Sequence, residues 1–251
     1  MKNLDLDEGP FARIVEIVAR SLETRQGTLP MGSVAQCRHE SDDHMAQSIP
    51  VIPGQQVVPS AVCFRCEVCC RFPEHDSVLR PYFTEAEIRQ AVTHGVTPSS
   101  FPDHAGSQIE VVRHPTDEGF LCPAFDPTTH HCRIYEVRPL DCQLYPLALM
   151  WNARHDRVVL GWDTLCPFLL EQAGGDAPLT GVSPPPSALA LPKAFMEQAQ
   201  RVATYLESSD VLNALALHSR LVTPFQPGVV VLQPLERLTA TLRASSTHDT
   251  R

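Results

Sequence analysis

The chain has 251 residues, of which 43% are hydrophobic, 23 are proline and nine are cysteine, and its formal net charge is −9. This length is sufficient for one hydrophobic core, and the acidic balance excludes a broad basic surface for nucleic acid or an anionic membrane. No stretch reaches the roughly 18 apolar residues of a membrane span, and the first residues lack the parts of a signal peptide. We therefore expect a loop-rich cytoplasmic protein that binds neither nucleic acid nor a membrane.

The N-terminal region, residues 1–56, is predicted to contain one helix followed by a loop. Phe11, Ile14 and Val18 form an apolar stripe at helical spacing, which predicts a helix over residues 10–25. The rest of this region is rich in Gly, Pro, Ser, Asp and His, a composition typical of loops.

Residues 57–173 hold most of the cysteines and are predicted to mix short helices with short strands. Thr84 and Glu87 have the spacing of a capping box, which predicts a helix that ends at Gly95. Polar and apolar residues alternate over residues 108–113, which predicts a strand. The segment at residues 119–122 is predicted to pair with it.

The next elements in the chain are a short helix or turn and a pair of strands. Residues 133–137 are predicted to form the turn before Pro139, and residues 147–151 and 157–162 are predicted to form the strands. No alternation of strand, helix and strand is present. The pattern predicts an α+β fold, with a small cysteine-rich metal-binding domain and helical N- and C-terminal flanks.

The C-terminal part is predicted to be a helical appendage, residues 193–251, after a Pro- and Gly-rich linker over residues 174–192. Its first helix carries an apolar stripe that begins at Phe195, and Asp210 is predicted to cap the second helix. A short strand at residues 229–232 and a helix at residues 235–242 are predicted to follow.

Eight of the nine cysteines form a pattern that predicts metal binding. These are Cys63, Cys66, Cys69, Cys70, Cys122, Cys132, Cys142 and Cys166. A Cys-x-x-Cys pair turns two thiolates toward one ion, and this half-site recurs in zinc and iron–sulfur proteins. Thiols stay reduced in the cytoplasm and their number here is odd, so metal ligation is favoured over disulfides.

The adjacent cysteines Cys69 and Cys70 limit how the thiols can be shared. Neighbouring side chains project in different directions, so the two thiols do not easily bind one ion. Either they serve two sites, or they bridge a cluster, or one of them faces the core. Eight thiols divide into two four-coordinate sites, or into one cluster and one structural ion.

Three further features lie close to the later cysteines. Arg138 could donate to a cluster, to a substrate carboxylate or to S-adenosylmethionine (SAM), or it could form a structural ion pair. Tyr135 could line a pocket or pack in the core. His130 and His131 could supply an imidazole ligand or lie in a solvated loop.

These motifs resemble the YkgJ-type cysteine-cluster family, which is described as chelating zinc or iron. The family's Cys-x-x-Cys-x-x-Cys-Cys motif matches the first four cysteines of the set. Its later motifs, Cys-Pro, Cys-x-Ile-Tyr-x-x-Arg-Pro-x-x-Cys and Tyr-Pro, match Cys122-Pro123, residues 132–142 and Tyr145-Pro146. The resemblance covers about residues 60–170 and implies that the cysteines of these motifs bind a metal; Cys166 is predicted to be a ligand from the spacing of the thiols alone.

Three functions follow as hypotheses. The first is an iron–sulfur protein with a 4Fe–4S cluster, or with zinc instead, that serves metal handling, redox chemistry or assembly with a protein partner. The flagellin lysine-N-methylases share this domain, so the resemblance also implies a SAM-dependent methylase, with Arg138 and Tyr135 facing a cofactor pocket beside the cluster. This chain is short for such an enzyme and has no Gly-rich SAM-binding turn. The third hypothesis is a structural zinc module that presents the C-terminal helices to a partner.

Overall fold

The computed structural model describes four ranges of the chain, residues 58–64, 66–116, 119–173 and 191–246. The helix and loop predicted for residues 1–56 lie outside these ranges, as do residues 174–190 of the predicted linker. Within the described ranges, no helix is long and apolar enough to cross a membrane.

The described residues form an α+β structure with short antiparallel sheets, as the sequence predicts. The strands are β1 (Arg71–Phe72), β2 (Tyr82–Thr84), β3 (Gly106–Gln108), β4 (Val112–Arg113), β5 (Phe120–Leu121), β6 (Phe125–Asp126), β7 (His131–Cys132), β8 (Leu147–Trp151), β9 (Val158–Asp163) and β10 (Val229–Pro234). Their sheet orders are β1-β5-β4, β10-β9-β8, β2-β3 and β6-β7. The two strands predicted around residues 147–162 are confirmed as the β8–β9 pair.

The helices are short in the cysteine region and longer near the C-terminus. They are α1 (Ser60–Cys63), α2 (Glu85–Thr93), α3 (Leu140–Leu144), α4 (Pro167–Gln172), α5 (Lys193–Leu206), α6 (Ser209–Leu217) and α7 (Glu236–Ser246). The predicted turn before Pro139 is confirmed as a single 3₁₀ turn, Tyr135–Val137. The C-terminal helices are confirmed, but Asp210 lies inside the first turn of α6, and Ser208 is the residue at its N-cap.

The predicted capping box of α2 is confirmed, and it also links α2 to α3. Thr84 accepts a hydrogen bond from the Glu87 backbone, and the Glu87 carboxylate accepts from the backbone and hydroxyl of Thr84, each at 2.8 Å. The other oxygen of Glu87 accepts from the backbone N–H of Leu140, at 2.7 Å. Glu87 is buried, so three donors depend on one carboxylate.

We expect the substitution Glu87→Ala to lower the free energy of unfolding by about 3 kcal/mol, because it leaves three buried donors without an acceptor. Glu85→Ala is the matched control, since Glu85 lies in the same helical turn but is exposed. It should change stability by no more than about 0.5 kcal/mol. Chemical denaturation of the two variants measures the difference, and equal losses would contradict the linking role of Glu87.

The strand predicted over residues 108–113 is divided in two. Its last two residues pair with β5, as predicted, but Gln108 belongs to β3 and pairs with β2. Between the two strands, Ile109 donates its N–H to the carbonyl of Pro81, and Glu110 donates to the carbonyl of Ser100. These contacts direct the chain to different neighbours, so one continuous ladder does not form.

The C-terminal strand β10 completes the sheet that carries β8 and β9. Val229 pairs with Asp163 and Pro234 pairs with Val159, with a register shift between Val231 and Gln233. Gly161 allows the strands to come this close, because a Cβ atom there would lie 2.3 Å from a methyl group of Val229. The C-terminal flank is therefore hydrogen-bonded directly to the cysteine region.

Two hydrophobic clusters make up most of the interior. We call the first the large core. It surrounds Trp162 and combines residues of β8, β9, α3 and α4 with residues of α5, α6 and α7. We call the second the small core. It surrounds Phe83 and Phe72 and is formed by residues of α2, of the short strands β1, β2, β5 and β6, and of the segments between them. The cysteines lie on both sides of this division.

Candidate metal centre

Seven of the eight predicted cysteines line one cavity of about 50 Å³. They are Cys63, Cys66, Cys69, Cys70, Cys122, Cys132 and Cys142. Arg138, Tyr135 and Tyr145 line the same cavity, together with His130. The fold therefore gathers thiols that are up to 79 residues apart in the sequence. Cys166 does not line this cavity but is buried nearby in the large core.

Two consecutive tight turns place the first four cysteines. Cys63 is the last residue of α1, and its carbonyl accepts a hydrogen bond from the backbone N–H of Cys66 at 3.1 Å. A 3₁₀ turn, Val68–Cys70, then brings the next two thiols into position. The sulfur atoms of Cys69 and Cys70 are 4.0 Å apart.

The later four cysteines come from four separate elements. Cys122 follows β5, Cys132 ends β7, Cys142 lies within α3, and Cys166 is the N-cap residue of α4. Cys122 and Cys166 are buried, whereas Cys132 and Cys142 are partly buried. The proline after Cys166 begins α4, a position where a helix tolerates proline.

Backbone N–H groups approach several of the sulfur atoms. Hydrogen bonds from the backbone act to lower the thiol pKa of Cys66, Cys122, Cys132 and Cys166, and their donors lie two or three residues further along the chain. The donors are Val68, Ala124, Phe125, Ile134 and Leu169. Such bonds favour the thiolate form, which is the form that binds metals.

Burial outweighs these hydrogen bonds in the metal-free protein. It raises the pKa of Cys66 to about 11 and the pKa values of Cys122 and Cys166 to about 12. The pKa of Cys69, which is exposed as a residue, is lowered instead, first by the hydrogen bond from the Cys70 thiol, against the desolvation of its sulfur atom, and then by the charge of Arg138. At neutral pH the buried thiols therefore carry their protons until a cation displaces them.

Arg138 and Tyr135, the two residues predicted to contact a cofactor, are held against each other at this cavity. The guanidinium of Arg138 stacks 3.7 Å from the centre of the Tyr135 ring, and its Nε donates to the Tyr135 carbonyl at 2.9 Å. The Tyr135 side chain also hydrogen-bonds Cys63 and acts to lower its pKa, although burial raises that pKa overall. Both side chains therefore interact with the thiols themselves.

A second cavity of about 90 Å³ lies beside the first and shares Cys69, Cys142 and Tyr145 with it. Asp141 and Asp163 line it, and burial raises the pKa of each carboxyl group to about 6. Sequence reasoning missed both aspartates. Asp141 precedes the predicted ligand Cys142 in the sequence. Charged residues next to cysteines are usually solvated, and no sequence periodicity distinguishes a buried aspartate from a solvated one.

The two neighbouring histidines are placed differently. His130 lines the thiol cavity, and its Nδ1 is 3.7 Å from the buried carboxylate of Glu67. His131 is exposed and packs against the ring of Phe64, at 4.7 Å between ring centres. Glu67 also forms an ion pair with Arg71 at 2.9 Å.

The donor set fits zinc or iron, because both bind thiolates and the fold supplies N–H groups to the sulfurs. Among the described residues, no three His, Cys, Asp or Glu side chains form a group that could hold one ion as they stand. The thiols thus lie around the cavity and not about a single point. A metal group that occupies it either fills a larger space than one ion or draws the thiols together.

These observations define a cysteine-rich zinc- or iron-chelating domain. Residues 62–171 match the family model CxxCxxCC, whose description is "Putative zinc- or iron-chelating domain". No curated protein and no solved structure matches the chain.

Proposed function

We propose that the domain binds iron as an iron–sulfur cluster, with 4Fe–4S as the type, and acts in redox chemistry or metal handling with a protein partner in the cytoplasm. The observation that carries the proposal is the lining of one cavity by seven thiols. A tetrahedral zinc ion takes about four ligands, so this number exceeds the need of a single structural ion. A cluster occupies more space and is held by thiolates at its corners.

The surroundings of the sulfurs also suit a redox group. Hydrogen bonds to cluster sulfurs and nearby charge set the reduction potential. Backbone donors approach several thiols here, and Arg138 acts to lower the pKa values of Cys63, Cys69 and Cys132, after larger contributions from burial or neighbouring groups. A guanidinium that favours thiolates also favours the anionic cluster they would hold. Cys69 is exposed, which gives an electron donor or acceptor access to one ligand.

A SAM-dependent methylase is the second candidate, because a cavity with two buried carboxyl groups adjoins the thiols. Its volume of about 90 Å³ is well below the roughly 300 Å³ at which small-molecule pockets begin. SAM would therefore require this cavity to open. Titration of the iron-loaded protein with SAM tests this candidate, and it is rejected if no binding is detected.

Metal analysis of protein purified without oxygen tests the iron–sulfur proposal. We expect brown protein with iron and acid-labile sulfide in similar amounts, and a visible spectrum that a reductant bleaches reversibly. Protein whose thiols are alkylated before reconstitution is the control and should remain colourless. Colourless untreated protein with tightly bound zinc would overturn the proposal and favour the structural zinc module.

The same loading experiment should release protons. Because burial raises the pKa values of Cys66, Cys122 and Cys166 above 9, these thiols are protonated at pH 7 and must lose their protons to bind metal. The affinity should therefore rise with pH, by up to about tenfold per pH unit for each thiol that is deprotonated on binding. Loading in weakly buffered solution with a pH indicator measures this release.

A further inference from the structure

The second cavity, of about 90 Å³, shares a wall with the thiol cavity. Cys69, Cys142 and Tyr145 line both cavities, whereas Asp141 and Asp163 line the second cavity but not the first. A group bound beside the two aspartates would therefore lie next to two of the predicted metal ligands. Thiolate ligation by itself gives these aspartates no role.

The backbone brings the two aspartates to either side of Tyr145. Asp141 lies in α3, and Tyr145 follows four residues later at the C-cap of that helix, a spacing that places two side chains on one face. Asp163 ends β9 and donates its N–H to the carbonyl of Pro146, the residue after Tyr145, at 2.9 Å. The two carboxyl groups and the phenol therefore come from neighbouring backbone segments.

Each of the two carboxylates uses only one of its oxygens within the described protein. Asp141 Oδ2 accepts a hydrogen bond from the N–H of Tyr82 at 3.0 Å, and Asp163 Oδ1 accepts from the N–H of Leu165 at 2.9 Å. Within the described ranges, no group donates to the other oxygen of either carboxylate, and neither forms an ion pair. A carboxylate withdrawn from water is unfavourable unless it is paired, so these oxygens indicate a cation.

The hydroxyl of Tyr145 is an independent sign of a ligand. Its oxygen is buried, and no group among the described residues forms a hydrogen bond with it. Buried hydroxyl groups in proteins nearly always have a partner, which is either a protein group or a bound water. Because Tyr145 lines both cavities, the water shell of an ion in the second cavity would supply this partner.

The other polar side chains of the second cavity do not take the place of a cation. Arg71 lines it, but its guanidinium forms an ion pair with Glu67 at 2.9 Å and a hydrogen bond with His114 at 3.0 Å. Gln226 and Thr223 also line it, and the amide of Gln226 donates to the hydroxyl of Thr223 at 2.8 Å. The lining therefore offers mainly oxygen acceptors, which are the ligands of hydrated divalent cations.

The size of the second cavity fits a hydrated ion better than an organic molecule. A buried water needs about 10–15 Å³ of such a cavity, so about 90 Å³ holds roughly six waters. Small octahedral cations keep several of their waters and are commonly held by only one or two carboxylates. Pockets for organic ligands begin at about 300 Å³.

We propose that the second cavity binds a hydrated divalent cation, ferrous iron where a cluster is built, and passes it to the thiols. Carboxylates and water hold such an ion loosely, whereas thiolates hold it more tightly, so transfer is downhill. At the shared wall, the thiols of Cys69 and Cys142 replace water on the ion. Each thiol gives its proton to solvent as its bond to iron forms, and the iron stays ferrous. This inference rests on the proposed iron binding and supplies its route of entry.

Manganese tests the cation site itself, because Mn²⁺ prefers oxygen ligands to thiolates. The metal-free full chain is titrated with Mn²⁺ without oxygen, and electron paramagnetic resonance measures the free ion. We expect Asp163→Asn to weaken the binding of one Mn²⁺ per chain by about tenfold or more. Asparagine keeps an oxygen that can accept the hydrogen bond from Leu165, so the turn at this position is retained.

Asp103→Asn is the matched control for this substitution. Asp103 also accepts a hydrogen bond from the N–H two residues further along the chain, at 2.9 Å, but it is exposed and lines neither cavity. Its replacement should leave the binding of Mn²⁺ unchanged. The two variants therefore differ in the location of the lost charge and not in the kind of turn.

The variant Tyr145→Phe separates ligand binding from stability. Within the described residues the hydroxyl has no hydrogen-bond partner to lose, so its removal should not lower the stability of the metal-free chain. It should nevertheless weaken the binding of Mn²⁺ by about threefold, because the bound water loses an acceptor or donor. This variant decides the question if Asp163→Asn does not fold.

The rate at which the thiols are loaded tests the transfer. Co²⁺ is the probe, because its bonds to thiolates produce a charge-transfer absorption that stopped-flow spectroscopy can follow. We expect Asp163→Asn to take up Co²⁺ about tenfold more slowly than Asp103→Asn, because the local negative charge that attracts the ion is reduced. Rates are compared between chains that reach the same final cobalt content.

The outcomes separate this inference from the proposed function. Folded variants whose Mn²⁺ binding and Co²⁺ uptake equal those of Asp103→Asn would overturn the inference and leave the proposed iron binding intact. Binding of Mn²⁺ that depends on Asp163, together with Co²⁺ uptake at the control rate, would overturn the transfer to the thiols. If Mn²⁺ binds at the aspartates but the thiols take up neither iron nor zinc, the proposed function fails and the cation site remains.

Discussion

Removal of the metal should unfold the small core and leave the large core folded. In hydrogen exchange, we expect the amides of β1 to β7 and α2 to lose protection by at least about a hundredfold when the metal is chelated. The amides of β8, β9 and β10 and of helices α5 to α7 should keep most of their protection from exchange. Exchange followed by mass spectrometry of peptides separates the two regions.

The reason is the difference between the two cores. The small core contains 13 buried residues, and five of its surrounding strands, β1 and β4 to β7, are only two residues long. Strands this short have little stability of their own, and small units usually need a metal or a cross-link to fold. In such units the energy of metal binding is folding energy, on the order of 10 kcal/mol for a structural zinc.

The large core has the opposite character. It contains 26 buried residues, among them Trp162, which is fully buried, and strands of five and six residues. Only Cys166 among the predicted ligands is fully within it. Metal-loaded protein is the control for both regions. Equal loss of protection in both regions would show that the cores unfold as one unit, and unchanged protection would show that the metal does not support the fold.

The elements that could be predicted from the sequence depend on local contacts. The capping box at Thr84 and Glu87 and the β8–β9 pair need only neighbours within the same segment. The prediction of a single strand at residues 108–113 was wrong, because the distant carbonyls of Pro81 and Ser100 accept hydrogen bonds from its N–H groups. Sequence spacing contains no information about such partners.

In the candidate site, too, local sequence features were predicted and contacts between distant segments were not. The eight cysteines were predicted from spacing and motif, and seven of them line one cavity. The aspartates Asp141 and Asp163 were not predicted, because their burial depends on how α3 and β9 pack. The pairing of β10 with β9 was also not predicted, since it joins segments separated by some 65 residues. The type of a residue thus indicated its chemistry, whereas the identity of its neighbours in space could be known only from the fold.

Removal of residues 193–251 should prevent the rest of the chain from folding. Helices α5 to α7 and the segments between them supply 14 of the 26 buried residues of the large core. Each buried Leu, Val or Phe contributes about 1.5–3 kcal/mol, so the loss exceeds the 5–15 kcal/mol by which a typical domain is stable. The structural zinc hypothesis predicts instead that this deletion leaves the metal site intact.

The lost contacts include hydrogen bonds to the sheet that remains. Strand β10 no longer pairs with β9, and Val158 loses two partners, the hydroxyl of Thr239 at 2.9 Å and the N–H of Leu235 at 2.9 Å. The core that contains Cys166 becomes exposed to water. We expect the truncated chain to aggregate or to show no cooperative unfolding, and to retain less metal than the full chain.

Two point variants in α6 separate the effect of packing from that of chain length. Leu215→Ala should cost about 3 kcal/mol in the free energy of unfolding, because Leu215 is fully buried in the large core. Leu217→Ala, two residues further on, should cost less than about 0.5 kcal/mol, because Leu217 is 70% exposed. If the two variants are equally stable and the truncated chain folds with its full metal content, the C-terminal helices do not support the large core. The contacts of α5 to α7 with Trp162 and its neighbours favour the opposite result, in which the metal-binding region cannot be separated from its C-terminal flank.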